Sequence, residues 1–245
     1  MLSIIDLLKD NTLNERMAGF LLYMMLNNLS FLTAANPSGT GKTTLMGSLL
    51  NLLKPGVEIR TIKNKRDLEI KDESPEERYL IHEIGDGPYY SYLWGKEIDK
   101  FLKLGDKATI ASCIHADTLK ELKDIFLEPP LSVKNKNLLN LDLILFMTMK
   151  GGFYSRKRRV SRVYGSLKNE FILLYEWNSE KDGFYEINVE KYLSYLANRL
   201  EISLSKVNDN LLSAEEIISE LKKYEITKLE DVRDKILKFW KAEIR

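Results

Sequence analysis

Cysteine is almost absent from this chain, its first residues do not have the pattern of a signal peptide, and its net charge is small. The single cysteine, Cys113, cannot form an internal disulfide, as is typical of proteins from a reducing cytosol. The opening residues, MLSIIDLLKDN, have no basic stretch ahead of an apolar one and no small-residue cleavage site. The net charge is +1, so no global field draws the chain towards nucleic acid or acidic lipid.

The composition indicates a globular protein. Hydrophobic residues make up 44% of the 245 residues and charged residues 30%, which predicts one large domain or one domain with an appendage. Residues 17–35 are apolar enough to resemble a membrane span, but Asn27, Asn28 and Ser30 interrupt them. We interpret this segment as a helix followed by a buried strand, and we expect a cytoplasmic protein.

Short apolar runs alternate with segments of helical periodicity over the first 150 residues. The apolar runs predict strands at residues 30–35, 57–62, 79–84, 108–114 and 141–149. Helices are predicted after the capping pair Thr12 and Glu15 and at residues 43–53, 90–104 and 118–126. This order predicts an α/β fold with a mostly parallel sheet and helices on both of its faces.

The pattern changes near Gly165. Residues 171–177 and 183–189 predict a β-hairpin, and helices are predicted at residues 189–200, 213–223 and 229–240. The capping pairs Ser213 with Glu216 and Thr227 with Glu230 mark two of these helix starts. We therefore divide the chain into a core, residues 1–165, and a C-terminal hairpin with a helical extension, residues 166–245.

A glycine-bearing loop between the first strand and the next helix matches the later part of the phosphate-loop pattern. Its residues are Asn36, Pro37, Ser38, Gly39, Thr40, Gly41, Lys42, Thr43 and Thr44. Gly39 and Gly41 let backbone N–H groups approach phosphate oxygens, and the following helix directs its positive end at the same phosphates. Lys42 supplies a charge for the β- and γ-phosphates, and the Thr43 hydroxyl is placed to ligate Mg²⁺. The loop predicts binding of ATP with Mg²⁺.

Asn36 stands where the pattern has its first glycine. Asparagine is the non-glycine residue that best tolerates a left-handed backbone, so we expect the loop to keep its shape.

Two polar residues end neighbouring predicted strands. Glu83 follows the apolar run Tyr79-Leu80-Ile81. Because ligands bind at the carboxyl edge of parallel sheets, Glu83 is a candidate to hold Mg²⁺ and to polarise the attacking water. His115 closes another apolar run and is placed to contact the γ-phosphate. We interpret His82, inside an apolar stretch, as structural.

These motifs together resemble those of the secretion-motor ATPases, the superfamily that drives type II and type IV secretion, type IV pili and the archaeal archaellum. The similarity is carried by residues 36–44, 79–86 and 108–117 and by Arg158-Arg159-Val160. It extends over nearly the whole chain, and the archaeal branch looks most similar.

The resemblance implies a RecA-like phosphate-loop ATPase core that works as a hexameric ring beneath a membrane platform protein, at the inner face of the cell membrane. It implies that Lys42 and Thr43 bind phosphate and Mg²⁺. It also implies that Glu83 is the Walker B glutamate and that His115 is the His-box histidine, which senses the γ-phosphate.

Three departures from the family pattern weaken the expectation of fast hydrolysis. The family has an N-terminal domain ahead of this core, whereas about thirty residues precede the loop here. The acidic box, usually Thr-Ile-Glu-Asp, reads Thr61-Ile62-Lys63-Asn64, with Asp67 as a later acidic position. The arginine expected after Glu83 is missing. We therefore expect the protein to bind ATP but to hydrolyse it slowly or with a partner.

Two alternatives remain open. The first is a non-hydrolysing nucleotide-binding regulator or subunit that joins a ring or docks on a full-length motor, favoured by Lys63 and Asn64. The second is a nucleic-acid motor, which has local support from the basic cluster Lys150, Arg156, Lys157, Arg158, Arg159 and Arg162. A charged loop between strands explains this cluster equally well, so we expect no nucleic-acid partner.

Overall fold

A computed structural model describes residues 1–70, 73–152 and 155–243 of the chain. Within these residues, the strands are β1 (Phe31–Ala34), β2 (Glu58–Thr61), β3 (Glu77–Leu80), β4 (Glu83–Ile84), β5 (Tyr92–Leu93), β6 (Thr109–Ile114), β7 (Leu143–Lys150), β8 (Lys157–Leu167), β9 (Glu170–Asn178) and β10 (Gly183–Glu186). The helices are α1 (Ile4–Lys9), α2 (Glu15–Leu26), α3 (Lys42–Leu50), α4 (Glu97–Lys103), α5 (Leu119–Leu127), α6 (Asn135–Leu138), α7 (Val189–Arg199), α8 (Leu204–Lys223) and α9 (Leu229–Glu243). Two 3₁₀ turns cover Lys65–Leu68 and Leu104–Asp106.

All of these strands belong to one sheet, and β1 lies near its middle. The order along the sheet is β10-β9-β8-β7-β1-β6-β3-β2, and the short strand β4 pairs with β6 and β5. Strands β7, β1, β6, β3 and β2 run parallel, whereas β8, β9 and β10 are antiparallel to their neighbours. The prediction of an α/β fold with a mostly parallel sheet flanked by helices is confirmed.

The apolar side chains of the central strands alternate between two cores, one on each face of the sheet. Phe31 packs in the core formed with α1, α2, α3, α7, α8 and α9, whereas its neighbour Leu32 packs in the core formed with α4 and α5. Leu143 and Ile144 alternate in the same way. Because successive side chains of a strand point to opposite faces, continuous apolar runs are what a sheet covered on both sides requires.

The predicted helix followed by a strand at residues 17–35 is confirmed as α2 and β1. Two predicted helix starts are wrong. Asn14, not Thr12, caps α2 by accepting a hydrogen bond from the backbone N–H of Met17. Helix α8 begins after the cap Ser203 and runs through Ser213, because its apolar stripe is continuous on both sides of that serine and outweighs the local capping signal.

Two further predictions about local structure are wrong. The helix predicted over residues 90–104 is helical only at α4, since Tyr92 and Leu93 form β5. The basic segment near Arg158 is not a loop but part of β8, an eleven-residue strand. Its charged side chains obscure the two-residue strand period, and a register shift in the pairing of β8 with β7 places the buried Val160 and Val163 three residues apart.

The hairpin predicted for the C-terminal part is confirmed by the antiparallel pairing of β9 with β10. Strand β9 also pairs with β8, so the hairpin extends the sheet of the core. The proposed division at residue 165 falls inside β8 and stays a prediction.

Within residues 1–70, 73–152 and 155–243, no helix has both the length and the apolar character needed to cross a membrane.

Candidate functional site

A cavity of about 500 Å³ opens at the carboxyl ends of the central strands, beside the start of α3. Its lining consists of Leu2, Leu7, Asp10, Thr12, Ser38, Gly39, Thr40, Gly41, Lys42, Thr43, Thr44, Glu83, Tyr92, His115, Met147, Arg156, Lys157 and Arg158. Four of these side chains are basic and two are carboxylates, so the cavity has an excess of positive charge that suits a polyanion. The structure thus brings together most of the predicted loop with Glu83 and His115.

The loop between β1 and α3 has the backbone shape that its glycines predict. Gly39 and Gly41 have φ angles of +82° and +103°, a region that side-chain-bearing residues rarely adopt. Gly41 is the N-cap of α3 and provides no side-chain cap, so the first N–H groups of the helix remain available to a ligand. The hydroxyl of Thr40 is buried and has no hydrogen-bond partner among the described residues, which also fits a site completed by a ligand or water.

Lys42 is the first residue of α3, and its side chain is held inside the cavity. Its Nζ donates a hydrogen bond to the carbonyl of Ala35 at 3.2 Å and lies 3.3 and 3.2 Å from Nδ1 and Nε2 of His115. The residue is only 6% exposed. Burial lowers the pKa of Lys42, and the nearby Glu83 carboxylate opposes this effect. The carboxylate across the cavity therefore favours the charged form of the ammonium, which burial disfavours.

The side chains of Glu83 and His115 contact each other in the cavity. Glu83 begins β4, which pairs with β6, and His115 directly follows β6, so the two side chains meet at one sheet edge. Oε1 of Glu83 lies 2.8 Å from Nε2 of His115. The hydroxyl of Tyr92 donates to Oε2 of Glu83 at 3.2 Å, and Glu83 is 8% exposed. Both carboxylate oxygens are thus engaged.

Tyr92 was missed by the sequence reasoning, which placed it in a helix. In the structure β5 pairs in parallel with β4, so that Tyr92 lies opposite Glu83. Burial and the Glu83 charge raise the pKa of Tyr92, so the phenol stays protonated and acts as a donor. No local sequence signal marks this residue, because a pair of two-residue strands gives no periodicity.

Asn36 is not in the left-handed conformation, so the reason given for its tolerance is wrong. It is absent from the described non-glycine residues with positive φ. Its amide group makes contacts instead: Nδ2 donates to Oε1 of Glu121 at 3.2 Å, and Oδ1 lies 3.2 Å from Nδ1 of His115. Its backbone N–H donates to Oδ1 of Asp117 at 2.7 Å. The asparagine therefore joins the loop to β6 and α5.

Strand β8 holds both the loop between β1 and α3 and the N-terminal wall of the cavity. Nε of Arg158 donates to the carbonyl of Gly39 at 3.0 Å. The next residue, Arg159, donates to the carbonyl of Asp10 at 3.0 Å, and the N–H of Val160 donates to the carbonyl of Thr12 at 2.8 Å. The motif Arg158-Arg159-Val160 thus positions two walls of the site.

Most of the predicted basic cluster is used inside the molecule. Arg159 is buried and makes a two-point ion pair with Asp182, which also accepts from Lys157. Arg162 pairs with Glu176, and Lys150 lies over the ring of Trp177. These pairings engage four of the six basic side chains within the molecule.

The altered acidic box lies outside the cavity. Lys63 and Asn64 are exposed, and neither lines the cavity. The carboxylate of Asp67 accepts hydrogen bonds from the backbone N–H groups of both residues and caps the 3₁₀ turn that follows them. Asp67 therefore has a structural role in this arrangement.

The oxygen donors of the cavity fit a hard divalent cation. Thr43 is exposed at the start of α3, and the Glu83 carboxylate lines the same cavity. Mg²⁺ is typically held by one or two protein oxygens together with phosphate oxygens and water, which is what these two residues offer. The described residues contain no group of three or more histidine, cysteine or acidic side chains that forms a metal site by itself.

The solved structures similar to this chain include two ATPases of low sequence identity. No protein-family model and no curated protein sequence matches the chain. The VirB11 ATPase of the Brucella suis type IV secretion system, solved with sulphate, is 19% identical, with a TM-score of 0.45 over 66% of this chain. The Legionella pneumophila ATPase DotB is 12% identical, with a TM-score of 0.37 over 86% of this chain. The matched parts span 55% and 60% of those two proteins.

Proposed function

We propose that this chain is the ATP-binding domain of a secretion or type IV pilus-type motor ATPase. The observation that carries the nucleotide part of the proposal is the arrangement at the start of α3. There, two left-handed glycines and uncapped N–H groups adjoin a buried lysine that faces Glu83 and His115. The substrate that fits these groups is a nucleoside triphosphate, most simply ATP.

Each part of the cavity has a task in this proposal. The N–H groups from Gly39 to the first turn of α3 bind phosphate oxygens, and Lys42 exchanges its contact with His115 for the β- and γ-phosphates. Leu7 and Asp10 of the N-terminal wall also line the cavity, and we assign to them the contact with the nucleoside. Glu83 accepts the proton of the attacking water, and His115 contacts the γ-phosphate.

Thr43 and Glu83 are the residues that would hold Mg²⁺, Glu83 directly or through water. When bound, this ion neutralises the charge that develops on the phosphate oxygens.

The motor part of the proposal is supported by the sequence resemblance to secretion-motor ATPases. With it come the proposals of a hexameric ring, or of association with a full-length motor, and of docking on a membrane platform protein from the cytoplasmic side. Nucleic acid is not a proposed partner, since Arg159 and Arg162 are already paired with carboxylates.

A non-hydrolysing nucleotide-binding subunit is the second candidate, and one observation favours it. Both oxygens of Glu83 are engaged, and Lys63 and Asn64 place no carboxylate in the cavity. A positioned catalytic group contributes about 10²- to 10⁴-fold in rate, so hydrolysis by the lone chain would be slow. Measured turnover of the lone chain, compared with that of Glu83→Gln, separates the two candidates.

The proposed function is tested by calorimetry of ATP and Mg²⁺ binding to the wild type and to Lys42→Ala, with sizing in the same buffer. Lys54→Ala is the matched control, because Lys54 lies just beyond the other end of α3 and does not line the cavity. We expect the wild type and the control to bind equally and Lys42→Ala to lose binding. Absence of binding and of thermal stabilisation in the wild type at millimolar ATP would refute the proposal.

A further inference from the structure

The side chain of Arg158 extends across the loop between β1 and α3. Its Nε donates to the carbonyl of Gly39 at 3.0 Å. Its Cδ would lie 3.3 Å from a Cβ added at Gly41, and the guanidinium lines the same cavity as the loop. Arg158 is therefore close to both of the glycines that shape the loop.

Strand β8 fixes the side from which Arg158 approaches the loop. Arg158 and Val160 are two residues apart on one strand and so share a face, and Val160 packs in the core that contains α3. In the sheet, β8 and β6 lie on opposite sides of β1, the strand that leads into the loop. Arg158 thus reaches the loop from the side opposite to His115, which follows β6 and contacts Lys42.

The charge of Arg158 has no carboxylate partner among the described residues. The other basic side chains of β8 do have partners: Lys157 and Arg159 pair with Asp182, and Arg162 pairs with Glu176. The two terminal amino groups of Arg158 make no hydrogen bond to a described residue, because Nε is the atom that binds the loop. A planar guanidinium of this kind can donate two parallel hydrogen bonds to a phosphate group.

We propose that Arg158 is a further phosphate-binding residue, which is held at Nε by the Gly39 carbonyl and donates from its two amino groups to the α- and β-phosphates. This inference rests on the proposed function, in which Lys42 and His115 contact the γ-phosphate. The α- and β-phosphates are assigned to Arg158 because it approaches the loop from the other side of β1.

The test is titration calorimetry of Arg158→Gln with ATP, ADP and inorganic pyrophosphate. The amide nitrogen of glutamine is bonded to Cδ, as Nε of arginine is, so this variant keeps a donor for the Gly39 carbonyl and loses the charged amino groups. We expect the affinity for each ligand to fall about ten- to hundredfold, the usual effect of removing charge-assisted hydrogen bonds to an anion. The losses for ATP and ADP should be equal, because both ligands contain the α- and β-phosphates.

Arg162→Gln is the matched control. Arg162 lies on the same strand, pairs with Glu176 and does not line the cavity, and its replacement changes the net charge equally. The control should bind all three ligands as the wild type does. Equal ATP affinity in Arg158→Gln and the control, or a loss for ATP that is absent for ADP, would overturn the assignment of Arg158.

NMR of the loop without any ligand separates a phosphate contact from damage to the loop. The amide nitrogen of Thr40 belongs to the same peptide group as the Gly39 carbonyl, so its chemical shift responds to the hydrogen bond from Arg158. Arg158→Gln should keep the wild-type shift, whereas Arg158→Met, which has no donor, should change it. The same change in both variants would show that the affinity is lost through the shape of the loop, and would contradict a direct contact.

Pyrophosphate distinguishes a failure of this inference from a failure of the proposed function, because it has two linked phosphates and no nucleoside. A wild type that binds pyrophosphate but not ATP would refute the proposed function, and the pyrophosphate titration would then decide the role of Arg158. A wild type that binds ATP no better than Arg158→Gln does would refute this inference alone. A wild type that binds neither ligand would refute both.

Discussion

Gly41 is the loop position at which a single added methyl group should be most harmful. It has a φ of +103°, and a Cβ at this position would lie 3.2 Å from Cε of Met147 and 3.3 Å from Cδ of Arg158. The backbone strain of Gly41→Ala costs about 1–2 kcal/mol. Displacing Arg158 weakens its hydrogen bond to the carbonyl of Gly39, which adds about 1 kcal/mol.

These contributions predict a loss of about 2–3 kcal/mol in the free energy of unfolding. In a chain of this size each kcal/mol corresponds to about 2–4 °C in Tm, so Tm should fall by about 4–12 °C. The effect on binding should be larger than strain alone explains. Misdirecting one or two N–H groups that bind phosphate costs about 1.5–3 kcal/mol, or about ten- to hundredfold in ATP affinity.

The matched control is Gly56→Ala. Gly56 also has a positive φ, +87°, but it lies in the turn before β2 and a Cβ there meets nothing within 4 Å. We expect Gly56→Ala to lower stability by about 1–2 kcal/mol and to leave ATP affinity unchanged. Differential scanning calorimetry and ATP titration calorimetry measure both effects. Equal ATP affinity in the two variants would refute the reasoning that the shape of this loop forms the binding site.

Three further changes test the site and the fold. Glu83→Gln should lower any ATP turnover by about 10²- to 10⁴-fold with little change in ATP affinity, and unchanged turnover would exclude Glu83 as the base. Asp182→Asn should lower the free energy of unfolding at pH 7 by about 3 kcal/mol, as measured in urea, because the buried Arg159 loses its charged partner. Hydrogen bonds from Arg159 hold the pKa of Asp182 well below its usual value. The stabilisation by this ion pair is therefore complete above the pKa of an unfolded aspartate, about 3.9, and is lost as the pH falls further. If the wild type and the variant differ in stability by the same amount at pH 7 and at pH 2, this explanation is wrong. Burial raises the pKa of the Cys113 thiol to about 11, so a thiol reagent near pH 8 should modify it after unfolding in urea and not in the native protein.

The regular elements of the core could be predicted from the sequence because their signals are local. Apolar runs such as the one containing Phe31 and Leu32 alternate between two buried faces, and this requires only that a strand be covered on both sides. The backbone shape of the loop between β1 and α3 was predictable for a similar reason, since Gly39 and Gly41 lie close together in the chain and both take a positive φ.

Local signals were misleading where long-range packing outweighed them. Ser213 has the pattern of a helix cap but lies inside α8, because the apolar face of that helix continues past it. The basic residues around Arg158 look like a loop but lie on β8, where β7 and β9 supply the pairing on either side. Strand pairing depends on neighbours that are distant in sequence, so a charged strand has no clear period of its own.

The amino-acid sequence by itself indicated most strands and helices of the core, the glycine-bearing loop between β1 and α3, and the placement of Glu83 and His115 at one edge of the sheet. Only the tertiary structure decided which groups contact these residues. Tyr92 donates a hydrogen bond to Glu83, and Arg158 donates one to the loop carbonyl of Gly39. Asn36 lies between Glu121 and His115. The physical reason is the range of the contacts. A loop's backbone is shaped by adjacent residues, whereas Arg158 reaches Gly39 across 119 positions and Glu121 reaches Asn36 across 85, distances that only the folded sheet closes.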